Sequence, residues 1–171
     1  MNYEREKFID SAHKGDPVAL AAWLVSIPSV NPALERDGAG ETAISQVCAE
    51  LLEGWGLETT ITEPAPGRPN VVGRLEGQGP TILLNGHLDT VGVTGMTIDP
   101  FEVSFDGNRM YGRGSCDMKA GDAALLVTAY RLAKEGPRPN LVVALTSDEE
   151  HASVGMADLV SGDGPDADLA I

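Results

Sequence analysis

The sequence contains few cysteines, few basic residues and no long hydrophobic run. Two cysteines, Cys48 and Cys116, are too few for a disulfide framework, and we expect both to be reduced. Twelve Lys and Arg residues stand against 26 Asp and Glu residues, and the net charge of −14 disfavours binding to the phosphate backbone of nucleic acids. No window approaches the roughly 20 apolar residues that would cross a bilayer, so we expect no membrane partner. The N-terminal segment has mixed charge and lacks the apolar centre of a signal peptide, which predicts a cytoplasmic protein.

The length and apolar content predict one globular domain of the α/β class. With 171 residues, 42% of them apolar, the chain is long enough to bury a sizeable core. Short apolar runs in PTILLNGH and LVVALTS predict two central parallel strands that are covered on both faces. The Ala- and Leu-rich segment between them predicts a crossover helix, and hence a right-handed βαβ unit. Other patterns predict helices from Pro17 to near Ile27 and from Glu41 to Gly54, with Cys48 in the core. They also predict strands at 57–63 and 70–77, of which the second is nearer an edge, a hairpin at Asp106–Gly107, and a further buried strand within 166–171.

Three segments carry side chains that suit hard cations: GHLDT at 86–90, GRGSCDMKAG at 112–121 and TSDEEHASVG at 146–155. The first and third follow the two central strands, whose carboxyl ends should meet at one edge of the sheet. The second places Asp117 just before the crossover helix, where the helix dipole favours a carboxylate. Each segment alone has an ordinary explanation, such as a hydrogen-bonded histidine, a helix-capping aspartate or solvated glutamates. Their coincidence favours a metal site.

Imidazole and carboxylate ligands suit Zn²⁺ first, with Co²⁺ or Mn²⁺ as alternatives. A carboxylate such as that of Asp117 can bridge two cations about 3.5 to 4 Å apart, and a hydroxide between them would be the nucleophile. Adjacent glutamates do not easily point the same way in an extended chain, so one of Glu149 and Glu150 could bind metal while the other acts as general base. Asp89 is two residues after His87 and could accept a hydrogen bond from the imidazole nitrogen that does not bind metal.

In these three segments the sequence resembles the co-catalytic zinc metallopeptidase and deacylase family, which includes acetylornithine deacetylase, succinyl-diaminopimelate desuccinylase, aminoacylases and glutamate carboxypeptidases. The resemblance implies a three-layer α/β/α catalytic domain with a mostly parallel central sheet. It implies two Zn²⁺ ions in the complete site and a metal-bridging water that acts on an N-acyl amino acid or a short peptide. It also implies a cis peptide bond after Asp117 and allows a dimer of the full-length parent. The implied roles are His87 as a ligand of one metal, Asp117 as the bridge, Glu150 as a ligand of the second metal, Glu149 as general base and Asp89 as the residue that orients His87.

The family pattern continues beyond a strand like DLAI into a further metal ligand, a lid or dimerisation domain and a distant histidine ligand, none of which is in this sequence. We therefore expect residues 1–171 to be the N-terminal part of the catalytic domain, truncated at its C-terminal end and inactive in isolation. The parent would be an N-acyl amino acid deacylase. Two alternatives stay open: a dipeptidase or carboxypeptidase of the same family, and a non-catalytic metal-binding or interaction module.

Overall fold

The computed structural model describes residues 3–161 and 164–171, which form five helices and two sheets. The helices are α1 (Tyr3–Ala12), α2 (Pro17–Val25), α3 (Thr42–Gly54), α4 (Lys119–Lys134) and α5 (Val154–Ser161). The strands are β1 (Glu58–Ala65), β2 (Arg68–Leu75), β3 (Thr81–His87), β4 (Ser104–Asp106), β5 (Arg109–Tyr111), β6 (Asn140–Thr146) and β7 (Leu169–Ala170).

The main sheet has the strand order β1-β2-β6-β3-β7. Strand β6 pairs in parallel with β3, and β3 pairs in parallel with β7, whereas β2 is antiparallel to both β1 and β6. Four of the five strands therefore run in one direction, and the sheet is mixed because β2 runs against them. The predicted pairing of the two central strands through a crossover helix is confirmed. Strand β2, predicted to lie nearer an edge, is one strand from it: β1 covers its outer side, and most of β2 is buried.

Helices cover both faces of this sheet, which confirms the three-layer α/β/α architecture. Alternate residues of β6 point to opposite faces, as the two-residue period of a strand requires. Val143 and Leu145 join the larger core, which contains residues of α2, α3 and α4, while Val142 and Ala144 pack with Leu159 of α5 on the other face. Cys48 lies fully buried in the larger core, and both cysteines are free.

Local signals account for the start of α2. The Asp16 carboxylate accepts hydrogen bonds from the main-chain N–H groups of Val18 (2.9 Å) and Ala19 (3.1 Å), and Pro17 occupies the first turn. Both features stabilise a helix start because the first N–H groups of a helix have no partner within it. The predicted α3, α4 and the hairpin of β4 and β5 are likewise confirmed.

Helices α1 and α5 and the exposure of strand β7 differ from expectation. Helix α1, which packs on α2, and helix α5, which follows the 146–155 segment, were not predicted. Strand β7 forms within 166–171 as expected, but the prediction that it is buried is wrong, since Leu169 is 53% exposed at the edge of the sheet. Among the described residues, no helix is both long enough and apolar enough to cross a membrane.

Candidate metal centre

The three sequence segments meet at one edge of the main sheet. His87 is the last residue of β3 and is paired in register with Thr146, the last residue of the parallel strand β6. The carboxyl ends of neighbouring parallel strands open onto the same crevice, so the loop after β6 begins next to His87. The second segment, 112–121, reaches this crevice because α4 begins at Lys119, directly after the loop that contains Asp117.

The structure brings His87, Asp117 and Glu150 together. One ligand atom from each lies within 4.8 Å of the others. His87 Nε2 is 3.1 Å from Asp117 Oδ1, and the His87 side chain is only 7% exposed whereas that of Asp117 is 74% exposed. One imidazole nitrogen and two carboxylate oxygens form a donor set that fits Zn²⁺ or a similar divalent cation. The cluster is thus closed by the protein on the histidine side and open to solvent on the side of Asp117.

Glu149 stands beside this cluster, with Oε2 3.8 Å from His87 Nε2 and a half-exposed side chain. The Glu149–Glu150 pair lies in a turn instead of an extended strand, and Asp148 before it has a positive φ of 62°. Because the backbone turns here, both carboxylates face the same imidazole, an arrangement that an extended dipeptide does not easily allow. The peptide bond between Asp117 and Met118 is cis, as the resemblance implies.

Asp89 connects the histidine to the glutamate loop. His87 Nδ1 lies 3.1 Å from the main-chain carbonyl oxygen of Asp89 and 3.5 Å from its carboxylate Oδ1, so the carbonyl is the closer partner. The carboxylate accepts hydrogen bonds from the main-chain N–H groups of Glu149 (2.9 Å) and Glu150 (3.1 Å). Asp89 therefore contacts both the histidine ring and the dipeptide.

The electrostatics of the site are dominated by carboxylates around one imidazole. Burial disfavours the charged imidazolium of His87, but hydrogen bonds with Asp89 and Asp117 outweigh it and raise its pKa to about 9. Burial would raise the pKa of Asp89, yet hydrogen bonds from His87 and Asn31 hold it below its ordinary value. Burial and the neighbouring carboxylates raise the pKa of Glu150. The surplus of negative charge is what a divalent cation would neutralise.

Sequence reasoning missed a group of buried polar residues behind the cluster. Asn31, Glu41 and Asp148 are almost completely buried, and Arg68 reaches all three of them. Asp148 lies within the third segment and could have been singled out as the residue before the glutamate pair. Asn31, Glu41 and Arg68 come from separate segments with no shared spacing, so no sequence signal links them. Two further buried ionisable residues, Lys119 and Asp122, lie in the first turn of α4.

The sequence is similar to proteins of a known family. Residues 83–171 match peptidase family M20/M25/M40. Succinyl-diaminopimelate desuccinylase of Gluconobacter oxydans is 37% identical over 79% of the chain and 35% of its own length, and that of Variovorax paradoxus is 39% identical over 79% and 36%. The chain thus spans about a third of the length of the curated relatives it matches.

Solved structures show the same fold. An M20 family metallo-carboxypeptidase of Sulfolobus solfataricus superposes with a TM-score of 0.78 at 22% identity, covering 91% of this chain and 36% of its own. Human carnosine dipeptidase 1 gives a TM-score of 0.66 at 20% identity over 91% of this chain and 35% of its own. On the family match and the sequence identity with the desuccinylases, the chain belongs to peptidase family M20/M25/M40.

Proposed function

We propose that residues 1–171 belong to the catalytic domain of a metal-dependent amide hydrolase that removes the acyl group from an N-acyl amino acid. The observation that carries the proposal is the convergence of His87, Asp117 and Glu150 at one edge of the sheet, with Glu149 beside them. The sequence identity of 37% and 39% with two succinyl-diaminopimelate desuccinylases favours N-succinyl-diaminopimelate or a similar small acyl amino acid as the substrate.

The donor set supports Zn²⁺ as the metal, with Co²⁺ or Mn²⁺ as substitutes. His87 and Glu150 would each hold a cation, and the exposed carboxylate of Asp117 would lie between them as the shared ligand. When bound, such cations supply Lewis acidity, which polarises the substrate carbonyl and lowers the pKa of water. The half-buried pocket lined by Val91, 112–117 and Glu150 borders Asp117 and offers room for a small substrate.

Glu149 would act as general base. Its carboxylate is close enough to the cluster to take a proton from a water there, and its half-exposed position leaves it free to rotate toward substrate. Asp89 would act indirectly, since its contacts with His87 and with the main chain of both glutamates orient the groups that contact water and metal.

The chain spans about a third of its relatives' length, so metal binding is a better test of it than hydrolysis. We expect the metal-free chain to take up Co²⁺ or Zn²⁺ at neutral pH in calorimetric titration. Asp117→Ala should lose that binding, because it removes the shared carboxylate. Asp106→Ala is the matched control, since it removes an exposed carboxylate of the β4–β5 hairpin that is not part of the His87, Asp117 and Glu150 group. No uptake by the wild-type chain, or equal uptake by the two variants, would show that the proposed metal centre is wrong.

Hydrolysis assays separate the substrate classes. Cleavage of N-succinyl-diaminopimelate in preference to simple dipeptides supports the deacylase, and the reverse preference assigns the site to a dipeptidase or carboxypeptidase. Metal binding without hydrolysis of either substrate, measured in a protein as long as the desuccinylase relatives, would instead support a non-catalytic metal-binding module.

A further inference from the structure

Asn31 lies in the connection between α2 and α3, is fully buried, and contacts two loops that are distant in sequence. Its side-chain Nδ2 donates one hydrogen bond to Asp89 Oδ2 (2.7 Å) and another to Asp148 Oδ1 (2.9 Å). An amide nitrogen has two protons, so both donors of Asn31 are used. The residue therefore joins the loop after β3 to the loop after β6 from behind the metal cluster.

The amide can adopt only one orientation in this place. Its oxygen accepts from Arg68 Nη2 (2.7 Å) and from the main-chain N–H of Ala33 (2.9 Å). The side chain thus presents an acceptor to two donors and two donors to two carboxylates. An aspartate at position 31 would have nearly the same shape but would add a third negative charge against Asp89 and Asp148, with no donor between them.

Both carboxylates that Asn31 contacts hold the glutamate loop. Asp89 accepts from the main-chain N–H groups of Glu149 and Glu150, and Asp148 is the residue that precedes them. The main-chain N–H of Asp148 is itself fixed, because it donates to Glu41 Oε1 at 3.0 Å. The Glu149–Glu150 dipeptide is therefore held to the interior of the protein through Asp89 and through Asp148, and Asn31 donates a hydrogen bond to each of these two residues.

We propose that Asn31 is a positioning residue: by bonding to Asp89 and Asp148 together, it fixes the Glu149–Glu150 turn against His87 and so sets the affinity of the site for a divalent cation. The consequence for metal affinity rests on the proposed function, whereas the positioning of the turn does not. The two parts need separate measurements.

The first measurement is made on the metal-free chain. Asn31→Leu removes both donors while keeping four side-chain heavy atoms branched at Cγ, and amide hydrogen exchange followed by NMR reports the Glu149 and Glu150 N–H groups. We expect these two amides to lose protection while those of Val143 and Leu145 in the centre of β6 keep it. Asn140→Leu is the matched control, because the Asn140 side chain accepts from the Gly77 N–H and donates to the Gly79 carbonyl at the opposite end of β6. Unchanged protection of the glutamates, or an equal loss along β6, overturns the positioning role.

The second measurement is Co²⁺ titration of the same variants. Removal of an indirect partner of a metal ligand typically weakens metal affinity by about 10- to 100-fold, and we expect a loss in that range for Asn31→Leu and none for Asn140→Leu. Wild-type affinity in Asn31→Leu overturns the effect on the metal site while leaving the proposed function intact. Absence of metal binding in the wild-type chain overturns the proposed function, and the exchange experiment then decides the positioning role alone. If Asn31→Leu fails to fold, Asn31→Ser, which keeps one donor, takes its place. We expect Asn31→Ser to give the same changes in both measurements, and wild-type behaviour of that variant overturns the proposal.

Discussion

The metal-free site should make the stability of the protein depend on pH through His87. Burial disfavours the imidazolium, but hydrogen bonds with Asp89 and Asp117 raise the pKa of His87 from 6.5 to about 9 in the folded chain. The unfolded chain has the ordinary value, so the folded state holds this proton more tightly between pH 6.5 and 9. The difference of about 2.5 corresponds to about 3 kcal/mol of unfolding free energy. Because the folded pKa is the higher one, this stabilisation is complete below pH 6.5 and is lost as the pH rises through 9.

Urea unfolding in the presence of a chelator can measure this contribution. Two other buried groups titrate in the same range, because burial lowers the pKa of Lys119 to about 8 and raises that of Asp122 to about 8. The pH dependence of the unfolding free energy of the wild type would therefore combine the contributions of three titrating groups. The charge of His87 lowers the pKa of Asp122, so the comparison is made with Asp122→Asn in both proteins. Adding His87→Gln to that background leaves Lys119 unchanged, and the difference in unfolding free energy between the two proteins should fall by about 3 kcal/mol between pH 6 and pH 9.5. A difference that stays constant over that range would refute the reasoning.

The same proton should oppose metal binding. A histidine must lose its proton to coordinate a cation, so the apparent affinity for Co²⁺ should rise by about tenfold per pH unit between pH 6.5 and 9. His87→Gln also removes a ligand and should bind Co²⁺ more weakly, and the binding that is left should depend less steeply on pH, because the glutamine has no proton to release. An equally steep dependence in the variant would show that another group controls the binding.

Two further substitutions test the general base and the buried ion pair. In a form of the enzyme that turns over substrate, Glu149→Gln should lower kcat by about 100- to 10,000-fold while calorimetry shows unchanged metal affinity; wild-type turnover would exclude the role of general base. Arg68→Met leaves the fully buried carboxylate of Glu41 without the guanidinium 2.8 Å away, and urea unfolding should show a loss of about 3 to 5 kcal/mol. Adding Glu41→Gln should recover about 1 to 3 kcal/mol of that loss, and strictly additive costs would contradict the coupling.

The parts of the fold that sequence predicts well have strong local patterns. Helix α4 has a long Ala- and Leu-rich segment, and strand β6 has a continuous apolar run. Both form where expected. Helix α5 was missed because it has only eight residues and directly follows a loop rich in polar groups, so its apolar Met156 and Leu159 did not stand out. The position of β2 inside the sheet depends on its pairing with β6, some 70 residues later, which no local pattern reveals.

The candidate site divides in the same way. His87, Asp117 and Glu150 were identified from short segments because each follows or precedes a recognisable element, and the structure brings them together. The buried polar residues behind them were not identified, because their role comes from contacts between residues that are far apart in the sequence. Asn31 is 58 residues from Asp89 and 117 from Asp148, in a segment whose sequence indicates only the end of a helix. A buried polar network of this kind is defined by tertiary contacts alone.

The unequal exposure of the two cysteines has a practical consequence for studying the site. Cys48 lies fully buried in the core, where burial raises the pKa of its thiol, whereas Cys116 is exposed and directly precedes Asp117. Thiol-reactive dyes attack the thiolate of an accessible cysteine, so the folded chain should be labelled at a single position without any substitution. A fluorophore at Cys116 would lie one residue from the exposed carboxylate of Asp117, the proposed shared metal ligand. Quenching of its emission by Co²⁺ would then report occupancy of the site directly, on the wild-type sequence.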